Sequence, residues 1–341
     1  MSTWAITCYF NNSGFQQRYA NYRLFSRALN VPLVTVEWSL DGNFELTDND
    51  ADILVQVSGG DLLWQKERLL NLGLEHLPAD CTNVVWLDCD ILFDHKDWVT
   101  DFETALSNAS LVQLFSHVSH CKPASEGSGT NLEARTEELM VRESLGLKFQ
   151  SGGEQSLLET LPSAAMQPLN RLSPIDPLGL ERSERSRLAM RPSAGHGWGM
   201  RRELLEELKL YDCMIFGTGD MAIALAGIGL HLQYAQGYPL CQSHRAHYID
   251  WADRFFRRVQ GRVTPIPGTV NHLYHGNFSD RQYGERLQVM RGHEFDPHCD
   301  VALAPQGVWQ WQGDATARFR GYMHSYFSGR AEDSPDRLDG S

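Results

Sequence analysis

The sequence lacks several features that assign a chain to a class at sight. No stretch approaches the ~20 consecutive apolar residues that cross a bilayer, so no membrane span is expected. Residues 1–9 lack the basic flank and apolar core of a secretory leader. The seven cysteines, Cys8, Cys81, Cys89, Cys121, Cys213, Cys241 and Cys299, form no C-x-x-C pair and fall at irregular spacing, which argues against a disulfide framework or a zinc knuckle. These absences point to a soluble chain in a reducing cytoplasm. Positive charge is scarce as well: 30 Lys and Arg stand against 43 Asp and Glu, a net charge of −13. A broad basic surface for nucleic acid or anionic lipid is therefore not expected. No internal repeat and no linker composition divides the chain.

What is present is an alternation of apolar runs and helical stripes. Hydrophobic residues make up 42% of the 341, enough for one large core. Residues 4–9, 31–38 and 52–57 read as strands. Phe15, Tyr19, Tyr22, Phe25 and Leu29 recur at helical spacing, and a second helix is expected over 62–76. A helix over 96–108 and a strand over 111–115 follow. Strands alternating with helices predict an α/β fold with a mostly parallel central sheet flanked by helices. Two stretches, 117–136 (rich in Ser, Gly and Asn) and 163–192 (with Pro168, Pro174, Pro177 and Pro192), read as mobile loops that could close over a site. From 329 to 341 the chain reads as a flexible polar tail.

The stretch with chemistry in it is Val84-Val85-Trp86-Leu87-Asp88-Cys89-Asp90-Ile91-Leu92-Phe93. An apolar strand stops at two carboxylates and resumes. Strand geometry would send Asp88 and Asp90 to one side, where their repulsion is relieved by a hard divalent cation such as Mn²⁺ or Mg²⁺. For a lone Asp-x-Asp, two solvated acids at a turn is the commoner reading. Other elements bear on the choice. The helix over 62–76 carries Lys66, Arg68 and Asn71, solvated surface by default but able to approach a nucleotide. Gly195-His196-Gly197-Trp198-Gly199 lets backbone or ligand come close, or is simply tightly packed. Gly217-Thr218-Gly219-Asp220 opens a helix whose Asp220 is either a cap or a base, with the two glycines leaving room for an acceptor. His272 and His275 stand three apart, a spacing that fits a metal site on a helix turn. Arg281 follows them. Trp309 and Trp311 share one face of a strand, as a sugar-stacking platform or as a buried edge.

In this order the motifs resemble those of GT-A fold glycosyltransferases across roughly residues 4–290. The later portion is most similar to galactosyltransferases and polypeptide N-acetylgalactosaminyltransferases. The resemblance implies one catalytic domain over 1–328, with the donor bound by about 1–115 and the acceptor and catalysis served by about 193–295. It implies that Asp90 and His275 ligate Mn²⁺ (or Mg²⁺), with His272 as a second ligand or a neighbour and Asp88 nearer the ribose and the metal's water shell. Tyr9, Asn11 and Asn12 would cup the nucleobase, and Lys66, Arg68, Asn71, Trp198 and Arg281 would complete the donor site. Asp220 matches the last residue of a Gly-Gly-Glu-Asp element and would be the base. Gly219 stands where that element has Glu.

The expected activity is an inverting, metal-dependent transfer from a UDP-sugar to an acceptor hydroxyl. The acceptor is left open among a lipid-linked glycan, a small metabolite, a protein and a modified nucleobase. Two other classes compete. A nucleotidyltransferase making sugar nucleotides would open with a Gly-rich basic loop, whereas Asn11-Asn12-Ser13-Gly14 has no Lys or Arg. A non-catalytic carbohydrate-binding protein would rely on Trp309 and Trp311.

Overall fold

The first apolar run becomes the middle of a sheet because both of its faces are covered. It forms β1 (Ser2–Tyr9), with Ala5, Ile6 and Thr7 fully buried. A computed structural model describes residues 2–123, 135–158, 191–282, 286, 289 and 292–334. In chain order these give α1 (Gln16–Ala28), β2 (Leu33–Ser39), β3 (Ile53–Ser58), α2 (Lys66–Leu74), β4 (Cys81–Leu87), β5 (Ile91–Phe93), α3 (Trp98–Ala105), β6 (Leu111–Gln113), β7 (His117–Cys121) and β8 (Glu138–Glu143). There follow α4 (Leu145–Leu158), β9 (Gly197–Arg201), α5 (Arg202–Leu208), α6 (Gly219–Ile228), α7 (His231–Gly237), α8 (Gln242–Val259), β10 (Val263–Pro265), β11 (Thr269–His272), β12 (Val301–Leu303), β13 (Trp309–Trp311) and α9 (Ala315–Gly329).

The main sheet has seven strands in the order β10-β6-β9-β4-β1-β2-β3. Six run parallel, and β9 is antiparallel to both neighbours. The α/β class and the mostly parallel, helix-flanked sheet are as expected. Two cores of buried side chains cover the sheet: Ile6, Val34, Val36, Val84 and Trp86 fall in one, and Ala5, Leu33, Val85, Leu87 and Val112 in the other. The second sheet, β5-β11-β7-β8, starts directly beyond the turn that ends β4. That connection carries Asp88 and Asp90. No helix among the described residues is long and apolar enough to cross a membrane.

Several local expectations are corrected. Residues 117–121 are not loop but strand β7, paired with β11 and β8 and buried at His120 and Cys121. Of the two expected mobile stretches, 124–134 and 163–190 lie outside the described residues. The chain does not fray at 329: Arg330 and Glu332 are buried, and Glu332 pairs with Arg18 at 2.5 Å and Arg330 at 2.6 Å. Residues 335–341 lie outside the described part. Asp88 and Asp90 sit in the turn between β4 and β5 rather than within one strand, so the period-two argument for their common side does not apply.

Candidate active site

Two carboxylates, two residues apart, meet different surroundings. At the end of β4, the Asp88 N–H donates to the His196 carbonyl at 2.9 Å, and the His196 N–H donates to Asp88 Oδ2 at 3.0 Å. Lys66, the first residue of α2, places Nζ 2.5 Å from Asp88 Oδ1 and donates to both oxygens of Asp220 at 2.9 Å. One ammonium thus serves two acids in a nearly enclosed place, Lys66 being 7% exposed. Burial opposes the charge on Lys66, but Asp220 and Asp88 outweigh it and hold its pKa well above the ordinary value. Burial likewise works to raise Asp88, yet Lys66 and His196 bring it down to about 2. Asp220 goes the other way: burial and the nearby Asp88 push it up against the pull of Lys66.

Asp220 lies in the first turn of α6, whose N-cap is Thr218, so it is not the helix cap, and its carboxylate accepts from Lys66 instead. The room expected beside the two glycines is taken. A Cβ on Gly217 would lie 2.6 Å from the Arg286 guanidinium, and one on Gly219 would lie 2.1 Å from Glu67 Oε1. A side chain at position 219 would have to displace the buried Glu67 carboxylate, which fills the space beside it. Open contact lies instead at Gly195, where a Cβ would sit 3.5 Å from Asp220 Oδ2 and 3.7 Å from Asp88 Oδ2. Burial, then the Asp220 charge, pushes Glu67 up to about 8, and its Oε1 has no hydrogen-bond partner among the described residues.

Among the described residues no ammonium stands against Asp90. His275 Nε2 is 3.5 Å from its Oδ2 and His272 Nε2 is 3.7 Å from its Oδ1. The two imidazoles are 3.0 Å apart. Antiparallel pairing of His272 with Ile91, and the Leu273 N–H bonded to the Asp90 carbonyl at 2.9 Å, fix this arrangement. The histidines are not on a helix turn: His272 ends β11 and His275 lies in the loop beyond it. Burial and the neighbouring Asp88 push Asp90 up to about 7. Burial brings His275 down to about 3 and His272 well below the ordinary value, so both rings are neutral near pH 7. Glu332 Oε1 stands 3.9 Å from His275 Nδ1, and Arg281, buried over the Phe278 ring at 4.8 Å, acts on the Asp90 charge.

This half fits a divalent cation. Asp90 Oδ1 is enclosed without a hydrogen-bond partner among the described residues, and one ligand atom each from Asp90, His272 and His275 lies within 4.8 Å of the others. A carboxylate with two imidazoles is a mixed oxygen and nitrogen set suited to Mn²⁺.

A cavity of about 560 Å³ opens at the C-terminal ends of β1 and β2, lined by Tyr9, Asn11, Asn12, Glu37, Trp38 and Glu45 among others. Thr7 pairs with Leu87, so Tyr9, two residues on, comes out beside the Asp88 turn. The Tyr9 hydroxyl donates to Glu45, which also accepts from Asn11 Nδ2 at 2.9 Å, and Asn12 Oδ1 accepts from the Leu40 N–H at 2.7 Å. Among the described residues no Lys or Arg lines it. Such a wall suits a neutral group with hydrogen-bond donors better than a phosphate.

Three of the expected donor contacts lie elsewhere. Arg68 donates to the Gly307 carbonyl at 2.6 Å, Asn71 exchanges hydrogen bonds with the Leu210 backbone at 2.9 Å, and both line a separate cavity of about 300 Å³. Trp198 is core, its indole N–H bonded to the Ala194 carbonyl at 2.7 Å. The glycines around it reflect packing, since a Cβ on Gly199 would lie 2.6 Å from the Phe102 ring. Trp309 and Trp311 form no stacking platform: the first donates to the Asp212 carbonyl at 3.0 Å and the second stacks on Phe319 at 5.1 Å. Sequence reasoning missed Glu67, His120, His196 and Glu332. Only His196 carried a signal, as a polar residue among glycines.

No family model matches the chain, and no curated protein matches it. Among solved structures, S. aureus TarS 1–349 in complex with UDP-GlcNAc is 10% identical over 86% of this chain and 69% of its own, with a TM-score of 0.34. In another structure of TarS 1–349 the chain spans 56% of that chain's length. A mycobacterial protein is 14% identical over 93% of this chain and 87% of its own, TM-score 0.35. The 4-diphosphocytidyl-2C-methyl-D-erythritol synthase of Anaerococcus prevotii is 10% identical over 78% and 87%, TM-score 0.31. Likenesses this distant assign no activity, and the functional reading rests on the site.

Proposed function

We propose that the protein is a divalent-cation-dependent glycosyltransferase of GT-A type that moves a sugar from a nucleotide-sugar, most simply a UDP-sugar, to an acceptor hydroxyl with inversion. The observation that carries this is the division of labour across one turn. Asp88 shares Lys66 with Asp220, while Asp90, two residues on, has a buried oxygen without a hydrogen-bond partner beside two neutral imidazoles. Asp90, His275 and His272 would hold Mn²⁺ or Mg²⁺. When bound, the ion supplies Lewis-acid stabilisation of the departing diphosphate.

The chain's own residues do the rest. Tyr9, Asn11 and Asn12, with Glu37 and Glu45, hold the nucleoside by hydrogen bonds in the cavity beside the turn. Lys66 offsets the two acids that flank Gly195 and keeps them from repelling the donor's phosphates. Asp220 takes the acceptor's proton as the acceptor oxygen bonds to the anomeric carbon, and the old anomeric C–O bond breaks with its electron pair going to the diphosphate. A single displacement of this kind inverts the carbon, and burial, which strengthens Asp220 as a base, suits it to the role. Seven free thiols fit action in a reducing compartment.

The test is product analysis with UDP-sugars and a panel of hydroxyl acceptors. The proposal requires UDP release that depends on Mn²⁺ and a β-linked product from an α-linked donor. Release of inorganic diphosphate from a nucleoside triphosphate would instead favour the nucleotidyltransferase alternative.

A further inference from the structure

Beside the Asp90 half lies a group of side chains of which the proposed reaction uses only His272. His120 from β7, His196 from the loop before β9 and His272 from the end of β11 are all buried, and one ring nitrogen of each lies within 4.8 Å of the others. Their ring centroids are 4.5 Å (His196 to His272), 4.9 Å (His120 to His272) and 5.7 Å (His120 to His196) apart. Phe115 and Phe278 pack against the outside of the group. His196 Nδ1 is buried with no hydrogen-bond partner among the described residues. The backbone of His196 is held at φ 80°, a left-handed conformation that a non-glycine residue keeps only where its surroundings impose it.

We infer that His120, His196 and His272 form a second metal site, built of nitrogen alone, that takes a borderline ion such as Zn²⁺ and shares His272 with the Asp90 site. Three imidazoles with no carboxylate ligand suit Zn²⁺ rather than Mn²⁺ or Mg²⁺, and three-histidine zinc sites keep a fourth position open. Asp88 Oδ2, 3.6 Å from His196 Nδ1, is already engaged by that residue's backbone N–H. The Arg142 guanidinium, 3.5 Å from His120 Nε2, leaves His120 Nδ1 directed at His272.

The sharing follows from imidazole chemistry. His272 turns Nδ1 toward His120 at 2.9 Å and Nε2 toward His275 at 3.0 Å. A neutral imidazole has one bare nitrogen, the other carrying the proton. An ion on the Nδ1 side leaves the proton on Nε2 and withdraws His272 from the Asp90 site, and the reverse holds equally. Each chain therefore fills one site at a time through His272.

The test separates the two sites by deleting one of them and uses no activity, so it stands or falls apart from the proposed reaction. The Asp90→Asn, His275→Ala double variant is titrated with Zn²⁺ by calorimetry, and with Co²⁺ for its visible bands, folding being checked by circular dichroism. The inference requires one equivalent bound by the double variant and a loss of ~10²-fold or more in affinity when either His120→Ala or His196→Ala is added, a ligand's removal costing at least what a supporting contact does. It also requires one equivalent, not two, on the wild-type chain. No Zn²⁺ on the folded double variant, equal affinity after either histidine is removed, or two equivalents on the wild type would each overturn it.

Discussion

Asp88 and Asp90 leave the same strand end, yet among the described residues Asp88 is paired with an ammonium and Asp90 faces two imidazoles. Asp88 lies 2.5 Å from the Lys66 ammonium and is pulled down to about 2, while Asp90 faces neutral imidazoles and is pushed up to about 7. A buried carboxylate without a partner is costly, and bringing in a cation relieves that cost. The contrast separates the half of the Asp-x-Asp turn that the chain pairs with an ammonium from the half whose donor set fits an ion. Spacing alone treats the two acids as equals.

The largest effect is expected at the proposed base, Asp220, on the Lys66 side. Asp220→Asn keeps the shape and removes the basicity, so turnover should fall by ~10² or more with UDP affinity nearly unchanged. Steady-state kinetics beside UDP titration checks this, and an Asn variant of wild-type activity would return Asp220 to a structural role. On the open side, Asp90→Asn or His275→Ala should remove Mn²⁺ binding, read by electron paramagnetic resonance of the ion, while Asp88→Asn should leave most of it. Equal loss in all three would erase the distinction between the acids. A smaller effect is expected from Glu332→Gln, which weakens the acceptor facing His275 Nδ1 and should cost ~10-fold in Mn²⁺ affinity.

The contribution of Glu67 to stability depends on pH. The folded chain keeps a proton on Glu67 up to about 8, whereas the unfolded chain gives it up near the ordinary 4.5. Folded Glu67 therefore binds more protons between those values, and its contribution to stability falls as pH rises from the lower to the upper. Glu67→Gln should remove that alkaline fall and raise the thermal midpoint at pH 9 by roughly 2 °C or more. Midpoints of the two proteins that change alike between pH 6 and pH 9 would contradict the placement of Glu67 against Gly219. The smallest effect belongs to Arg68→Ala: some stability lost through the Gly307 contact, and UDP affinity unchanged.

The fold was legible because its strands announce themselves. Runs such as Ala5-Ile6-Thr7-Cys8 are buried on both faces of a parallel sheet, and turns rich in Gly and Asn punctuate them. Lys66, Asp88, Asp90, Asp220, His272 and His275 were legible because their side-chain chemistry is unusual at the ends of apolar elements. Arg68 and Asn71 misled, since helical neighbours of Lys66 face other parts of the molecule and nothing local tells which turn of a helix meets the site. His120 and Glu332 were invisible for a different reason. Each is held at the site by long-range pairing, β7 against β11 in one case and the Arg18 contact in the other, and neither pairing leaves a mark in the flanking sequence.

The measurement that bears most directly on the division between the two acids is calorimetric titration of UDP into the wild-type chain and the Asp90→Asn variant, each with Mn²⁺ and with a chelator. Mn²⁺ should tighten UDP binding to the wild type at least ~10-fold and have no effect on the variant, since the proposed ion would be held at Asp90. UDP binding of equal strength with Mn²⁺ and with chelator in the wild type, or an Mn²⁺ effect that survives in Asp90→Asn, would contradict it.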